Sequence, residues 1–258
     1  MEGEELLSGV KEFVLKREKP DGGFGATPLL PPTIEDTYFA LKTLYELGEE
    51  VSLEKHEKFL LSQDILKLTF EPAQKLLELL SIFKSIEKLL QLKSQDLKVL
   101  IKRAKNKVKA KKVKLSDLSW TFYILNALGE TKSAEKAKNK CLKLIEKTNF
   151  LTLKECFYAY NVLKSEFPEK WISFILEAQN PDGGFGFFKG TTSYMENAFF
   201  ACYVLKGFNV TPKNPSKLLE FIKSCKNKDN GFGRNPQGIS FLFTTYYATW
   251  ILKNLFSK

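Results

Sequence analysis

The run Asn-Pro-Asp-Gly-Gly-Phe-Gly at 180–186 holds the first residues whose types and spacing could do chemistry. A glycine-rich loop can cradle phosphate with its backbone N–H groups, and this run recurs as KPDGGFG at 19–25 and NKDNGFG at 227–233. A cradle also wants a Lys, Ser or Thr at its exit, and none stands there in register. Asp-Gly is equally a turn signal, because Gly takes positive φ without steric cost and Asp hydrogen-bonds its own backbone. Metal ligands are sparse. There is one histidine, His56, and four cysteines, Cys141, Cys156, Cys202 and Cys225, with no Cys-x-x-Cys spacing. That set is too small for a disulfide framework, so the thiols read as reduced. Residues 101–114 carry eight basic side chains from Lys102 to Lys114 and no acid. Such a run is either a docking platform for an acidic partner, a membrane surface or nucleic acid, or a solvated helix face entering a loop. No aromatic residue interleaves with the lysines, which argues against nucleic acid.

The 258 residues are 43% hydrophobic with a formal charge of +10, a globular composition. MEGEELLSGV opens with acids and has no apolar signal-peptide region, and no stretch reaches the roughly 18 to 20 apolar residues of a membrane helix. The expectation is a soluble, cytoplasmic protein. A Lys and Glu excess with one His and two Met resembles thermophile usage.

The elements that must position these residues are repeats. A pattern of a small residue, two aromatics and a closing Leu reads TYFALKTL at 37–44, TFYILNAL at 121–128, CFYAYNVL at 156–163, AFFACYVL at 198–205 and TYYATWIL at 245–252. A degenerate copy, KLLELLSIF at 75–83, fills the gap after the first. Each copy has helical periodicity and is apolar nearly all round, so six buried helices are expected. The first shows an N-cap at Thr33 and a stop at Gly48. Polar, Lys/Glu-laced helices are expected between them at 4–17, 52–63, 85–105, 132–147, 168–179 and 213–226, with Ser52 as the N-cap of the second. The spacing of about 35 to 47 residues belongs to helical-hairpin repeats. Each glycine run follows an outer helix and precedes an inner one. Its phenylalanine is placed to pack between neighbouring hairpins while the glycines turn the chain.

An outer helix, Asp-Gly-Gly-Phe-Gly, then a buried aromatic helix resembles the repeat of protein prenyltransferase catalytic subunits and of squalene/hopene-type terpene cyclases. Residues 171–205 are the best copy, with 13–44 and 221–252 close behind. The resemblance implies an all-α fold across 1–258, a single α/α toroid domain of six hairpins in inner and outer layers. Its central funnel would be lined with aromatics and would receive an isoprenoid. The prenyltransferases bind zinc through an Asp-x-Cys pair and a His at inner-helix starts. Here Cys156 matches the Cys, but Lys154 replaces the Asp and Thr244 replaces the His. His56 sits on an outer helix, where a solvated or rim position is expected. The cyclases' Asp-x-Asp-Asp run is absent. No metal or other cofactor is therefore expected, and both activities are disfavoured.

In such a toroid the working positions are the first two turns of the inner helices. Two residues before the pattern stand Glu35, Ser119, Lys154, Glu196 and Phe243, and one residue into it stand Tyr38, Phe122, Phe157, Phe199 and Tyr246. The two sets are three apart and share a helical face. With Trp120, and Tyr160, Cys202, Tyr203 and Trp250 about a turn further on, they give candidate ligand-binding residues Tyr38, Trp120, Phe157, Tyr160, Phe199, Tyr203, Tyr246 and Trp250. By analogy with the family, Glu35, Glu196 and Lys154 are the candidate catalytic or ion-pair groups, and aromatic faces would stabilise a carbocation. A Glu196–Lys154 pair across the ring is attractive. Lys154, Arg234 or Lys189 would meet the diphosphate if the ligand were an isoprenoid diphosphate. Aromatics at helical spacing are also ordinary core, and short repeats could close the bore. The alternative is a non-catalytic toroid that binds a protein or peptide, with 101–114 as its docking surface.

Overall fold

The computed structural model describes residues 2–51 and 53–256. In chain order the helices are α1 (Glu2–Leu6), α2 (Val10–Leu15), α3 (Ile34–Glu46), α4 (Leu53–Leu61) and α5 (Phe70–Ile82). They continue as α6 (Ile86–Leu92), α7 (Ser94–Lys109), α8 (Leu115–Ala127), α9 (Thr131–Lys147) and α10 (Leu153–Leu163). The last are α11 (Lys170–Glu177), α12 (Met195–Gly207), α13 (Pro215–Ser224) and α14 (Leu242–Ile251). Six of them, α3, α5, α8, α10, α12 and α14, pack each against the next, and α14 packs back on α3. That closes an inner ring, with the remaining helices outside it and one continuous apolar cluster between the layers. This is an all-α toroid. Among the described residues, β pairing is confined to isolated bridges, and no helix is long and apolar enough to cross a membrane.

The glycine runs make the passage from outer to inner helix. In each, the middle phenylalanine (Phe24, Phe185 or Phe232) is fully buried and forms a bridge back to the end of the outer helix, at Glu18, Gln179 or Lys226. Gly22 and Gly183 stand at φ 93° and 88°, and Asn230 takes the same place at φ 68°. Asn is the side chain that tolerates this region best, which explains the one departure from Gly-Gly. In the last two copies Asp182 and Asp229 accept from the N–H of Gly184 and Gly231 at 3.0 and 3.1 Å. They also accept the hydroxyls of Ser193 and Ser240 at 2.8 and 2.7 Å. The recurring threonine has a role too: Thr37 and Thr245 accept the N–H of Phe24 and Phe232 at 2.9 and 3.1 Å.

The first copy has Pro32 where the others have serine, and there His56 substitutes for the aspartate. Its Nδ1 accepts the Gly23 N–H at 3.0 Å, its ring stacks on Phe24 at 5.1 Å, and its Nε2 lies 3.2 Å from Glu18 Oε1. His56 is 0% exposed, so the expected solvated position is corrected: the outer helix turns it inward because the Gly23 N–H needs an acceptor. Burial lowers the His56 pKa, with Glu18 opposing, so the ring is the neutral acceptor that this bond requires.

Two outer helices differ from expectation. The span 4–17 breaks at Gly9, φ 77°, into α1 and α2, and 85–105 breaks at Lys93 into α6 and α7, the latter running on to Lys109. Thr33 caps α3 through the Asp36 N–H at 3.0 Å, and Gly48 stands at φ 76° just past its end. The Ser52 cap lies outside the described residues.

Candidate functional site

The ring encloses a cavity of about 1280 Å³. All ten side chains expected on the bore-facing positions line it: Glu35, Ser119, Lys154, Glu196 and Phe243, and Tyr38, Phe122, Phe157, Phe199 and Tyr246. Trp120, Tyr203 and Trp250 line it too. Tyr160 and Cys202 do not. The Tyr160 ring packs instead on Phe167, Tyr203 and Phe208.

The lining is two-sided. On α10, α12 and α14 the rings form a continuous wall: Phe199 lies against Phe157, Tyr246, Tyr247 and Trp250 with centroids 4.4 to 5.7 Å apart. Burial pushes the phenols of Tyr246 and Tyr247 on this wall, and of Tyr38 on α3, well above their usual range, so their hydroxyls are neutral. On α3 and α5 the lining is charged. Lys75, buried, reaches Glu35 at 2.8 Å and Glu71 at 3.1 Å, with its ammonium 4.7 Å from the Phe39 ring centroid. Deeper along the same helices Lys42 meets Glu78 at 3.2 Å, and Gln74 donates to Glu78 at 2.7 Å.

Sequence reasoning missed Glu71, Gln74, Lys75 and Glu78. It began the degenerate copy at Lys75, but α5 aligns on α3 with Glu71 at the Glu35 position and Lys75 at the Phe39 position. The copy therefore starts at Ala73, the small residue. Without an aromatic pair α5 offered no register. The usable signal is charge at i, i+4 and i+7, with glutamine at i+3, on an otherwise apolar helix.

Loops of neighbouring repeats complete one end of the bore. The Phe187 carbonyl accepts the Leu153 N–H at 2.9 Å, and the Arg234 carbonyl accepts the Met195 N–H at 2.8 Å. Each loop thus satisfies an orphan donor at the start of the preceding inner helix. The same contact sets Arg234 beside Glu196, with its Nε 2.9 Å from Oε1 and Nη2 on the same oxygen. Glu196 pairs with Arg234 and not with Lys154. Lys154 meets no carboxylate, and its ammonium stands 5.8 Å from the Tyr158 ring centroid. Lys189 is exposed and 3.7 Å from Glu177.

At the positions matching zinc ligands, Cys156 is fully buried and outside the cavity lining, and burial pushes its thiol far up. Thr244 donates its hydroxyl to the Phe232 carbonyl. Among the described residues no three His, Cys, Asp or Glu side chains are grouped to hold a metal. Of the basic run, Lys105 pairs with Glu130 at 2.7 Å, Lys107 lies 3.6 Å from Asp117, and Arg103 donates to the Leu66 and Leu68 carbonyls. Lys102, Lys109, Lys111, Lys112 and Lys114 are exposed.

A search of curated proteins found no match. A family model described as "Prenyltransferase alpha-alpha toroid domain" matches residues 3–70 and 150–257.

Proposed function

The chain belongs to the prenyltransferase alpha-alpha toroid family, and on that footing we propose that residues 1–258 act as one toroid domain whose bore binds an isoprenoid chain or a similar apolar ligand. The observation that carries this reading is the two-sided cavity of about 1280 Å³, with Phe157, Phe199, Tyr203, Tyr246 and Trp250 on its aromatic wall. Apolar cavities with a few convergent polar groups are where small ligands bind. A zinc-dependent transfer is not part of the proposal. The residues at the ligand positions do not fit a metal, since a zinc site needs three or four converging N, S or O donors. The cyclases' acidic run is absent as well. If the bore does chemistry, its resources are aromatic faces for a developing cation and the carboxylates Glu35 and Glu196, each already engaged by a base.

Trp120 and Trp250 line the cavity, so intrinsic fluorescence tests the reading. Geranylgeraniol and geranylgeranyl diphosphate, titrated separately, should between them raise Tm and shift tryptophan emission. The Trp250→Phe variant should lose part of the emission change. No thermal shift and no emission change with either compound overturns the proposal.

A second reading has its own observation. Residues 93–147 hold 16 Lys and Arg against 5 Asp and Glu, a formal +11, so the rest of the chain is −1. The whole net charge thus lies on α7, α9 and the segments beside them, which suits an acidic protein partner. Retention on immobilised poly-glutamate should fall when Lys102, Lys109, Lys111 and Lys112 are changed to Ala. Unchanged retention removes the docking surface.

A further inference from the structure

Two side chains of the bore wall, Glu196 and Asn197, carry polar atoms with no partner. Glu196 takes both Arg234 contacts on Oε1, and its Oε2 is buried without a hydrogen bond. Asn197, the next residue, is 0% exposed, and neither its Oδ1 nor its Nδ2 has a partner. Both residues line the cavity. Buried polar groups are ordinarily satisfied, so an orphan acceptor oxygen and an orphan carboxamide on consecutive residues of α12 mark where a ligand's polar end would bond.

The charge of the lining says what that end is not. Five Glu carboxylates and five Lys or Arg cations face the cavity, a formal sum of zero. Lys42, Lys75 and Arg234 are already bound to carboxylates. The two cations without a carboxylate partner, Lys154 and Lys164, stand at the two ends of α10, Lys154 over the Tyr158 ring and Lys164 over the Tyr160 ring and donating to Asn161. Anion sites are built from converging cations and N–H donors. A diphosphate at Glu196 would meet a carboxylate oxygen instead.

We propose that the bore selects an uncharged prenyl chain ending in a hydroxyl or another O–H or N–H donor, read by Glu196 Oε2 and the Asn197 carboxamide. The hydroxyl donates to Glu196 Oε2, and its oxygen accepts from Asn197 Nδ2. This rests on the reading of the bore as an isoprenoid site and narrows it to one ligand chemistry.

The test compares geranylgeraniol, its diphosphate and the parent hydrocarbon by titration on the unaltered protein at neutral pH. The alcohol should bind at least about tenfold tighter than either, a margin one well-placed hydrogen-bonding pair supplies. In Asn197→Leu the alcohol should lose part of its margin over the hydrocarbon, keeping the bond to Glu196 Oε2, while the hydrocarbon's own affinity should not change. A diphosphate that binds tighter than the alcohol overturns the proposal and leaves the isoprenoid reading standing. So does an alcohol-to-hydrocarbon ratio near one on the unaltered protein, a comparison that needs no variant to fold. Failure of all three ligands removes both.

Discussion

Three passages from outer to inner helix, at 16–33, 178–194 and 225–241, are 17 or 18 residues long and close on a buried phenylalanine. The passage from α7 to α8 in the middle of the chain takes only 110–114, with no glycine at all. The long passages lie within the residues that match the family, and the short one lies in the unmatched stretch 71–149. Both kinds of repeat deliver an inner helix to the same ring. The difference is what else they deliver. The long loops carry Phe187, Arg234 and Phe241 to the cavity, whereas the middle repeats contribute no loop to it. They supply instead the polar lining of α5 and α8 and, outside, the net positive charge. The ring requires only packed helices; the mouth of the bore requires the glycine turns.

The comparison is broken most forcefully at the phenylalanines. Phe232→Ala should cost about 3–5 kcal/mol in urea unfolding, as expected for deleting a fully buried aromatic. Val113→Ala in the short passage should cost less than about 1.5 kcal/mol, because Val113 is only partly buried. Equal costs would mean that the glycine turn is no special clamp.

A subtler pair sets two glycines against each other. Gly183 and Gly129 share left-handed backbone, at φ 88° and 77°. A Cβ at Gly183 would collide with the Lys217 carbonyl, whereas at Gly129 it would meet open space. Gly129→Ala should therefore cost about 1 kcal/mol from backbone strain alone, and Gly183→Ala at least about 2 kcal/mol more. Thermal or urea melts of the two variants decide it. Similar losses would show that the turn yields freely.

His56 sharpens the contrast within the turns. His56→Ala strands the Gly23 N–H and should cost about 1–3 kcal/mol. Because its folded-state pKa is lowered from 6.5, the neutral ring's contribution is complete above that pH. As pH falls below 6.5 the unfolded chain takes up the proton first, and stability drains away until the folded-state pKa is passed. The wild-type minus His56→Ala difference should shrink over that window. A difference that stays flat from pH 7 to pH 5, on the order of the ordinary His range, would contradict the assignment.

The smallest effect belongs to the basic face. Changing Lys102, Lys109, Lys111 and Lys112 to Ala should alter stability by no more than about 0.5 kcal/mol, since these side chains are exposed and unpaired. A larger loss in a chemical melt would make that face structural.

Much of this was legible in the residues. The aromatic pairs of five inner helices gave their register, and with it the bore positions from Glu35 to Tyr246. Where the pairs fail, on α5, the register slipped and the Glu71–Lys75–Glu35 network stayed hidden. Pairings between repeats were also illegible. Arg234 reaches Glu196 across 38 residues because a loop carbonyl caps a neighbouring helix, and no local spacing encodes that. His56 went unread for the same reason: its partners, Gly23 and Phe24, are 33 and 32 residues earlier.

The central claim is that an isoprenoid chain occupies the bore, and a crystal structure of the protein grown with geranylgeraniol tests it most directly. Continuous density is expected along Phe157, Phe199, Tyr203 and Trp250, with the hydroxyl at Glu196. Density confined to the outer surface, with the bore filled by the protein's own side chains, would contradict it.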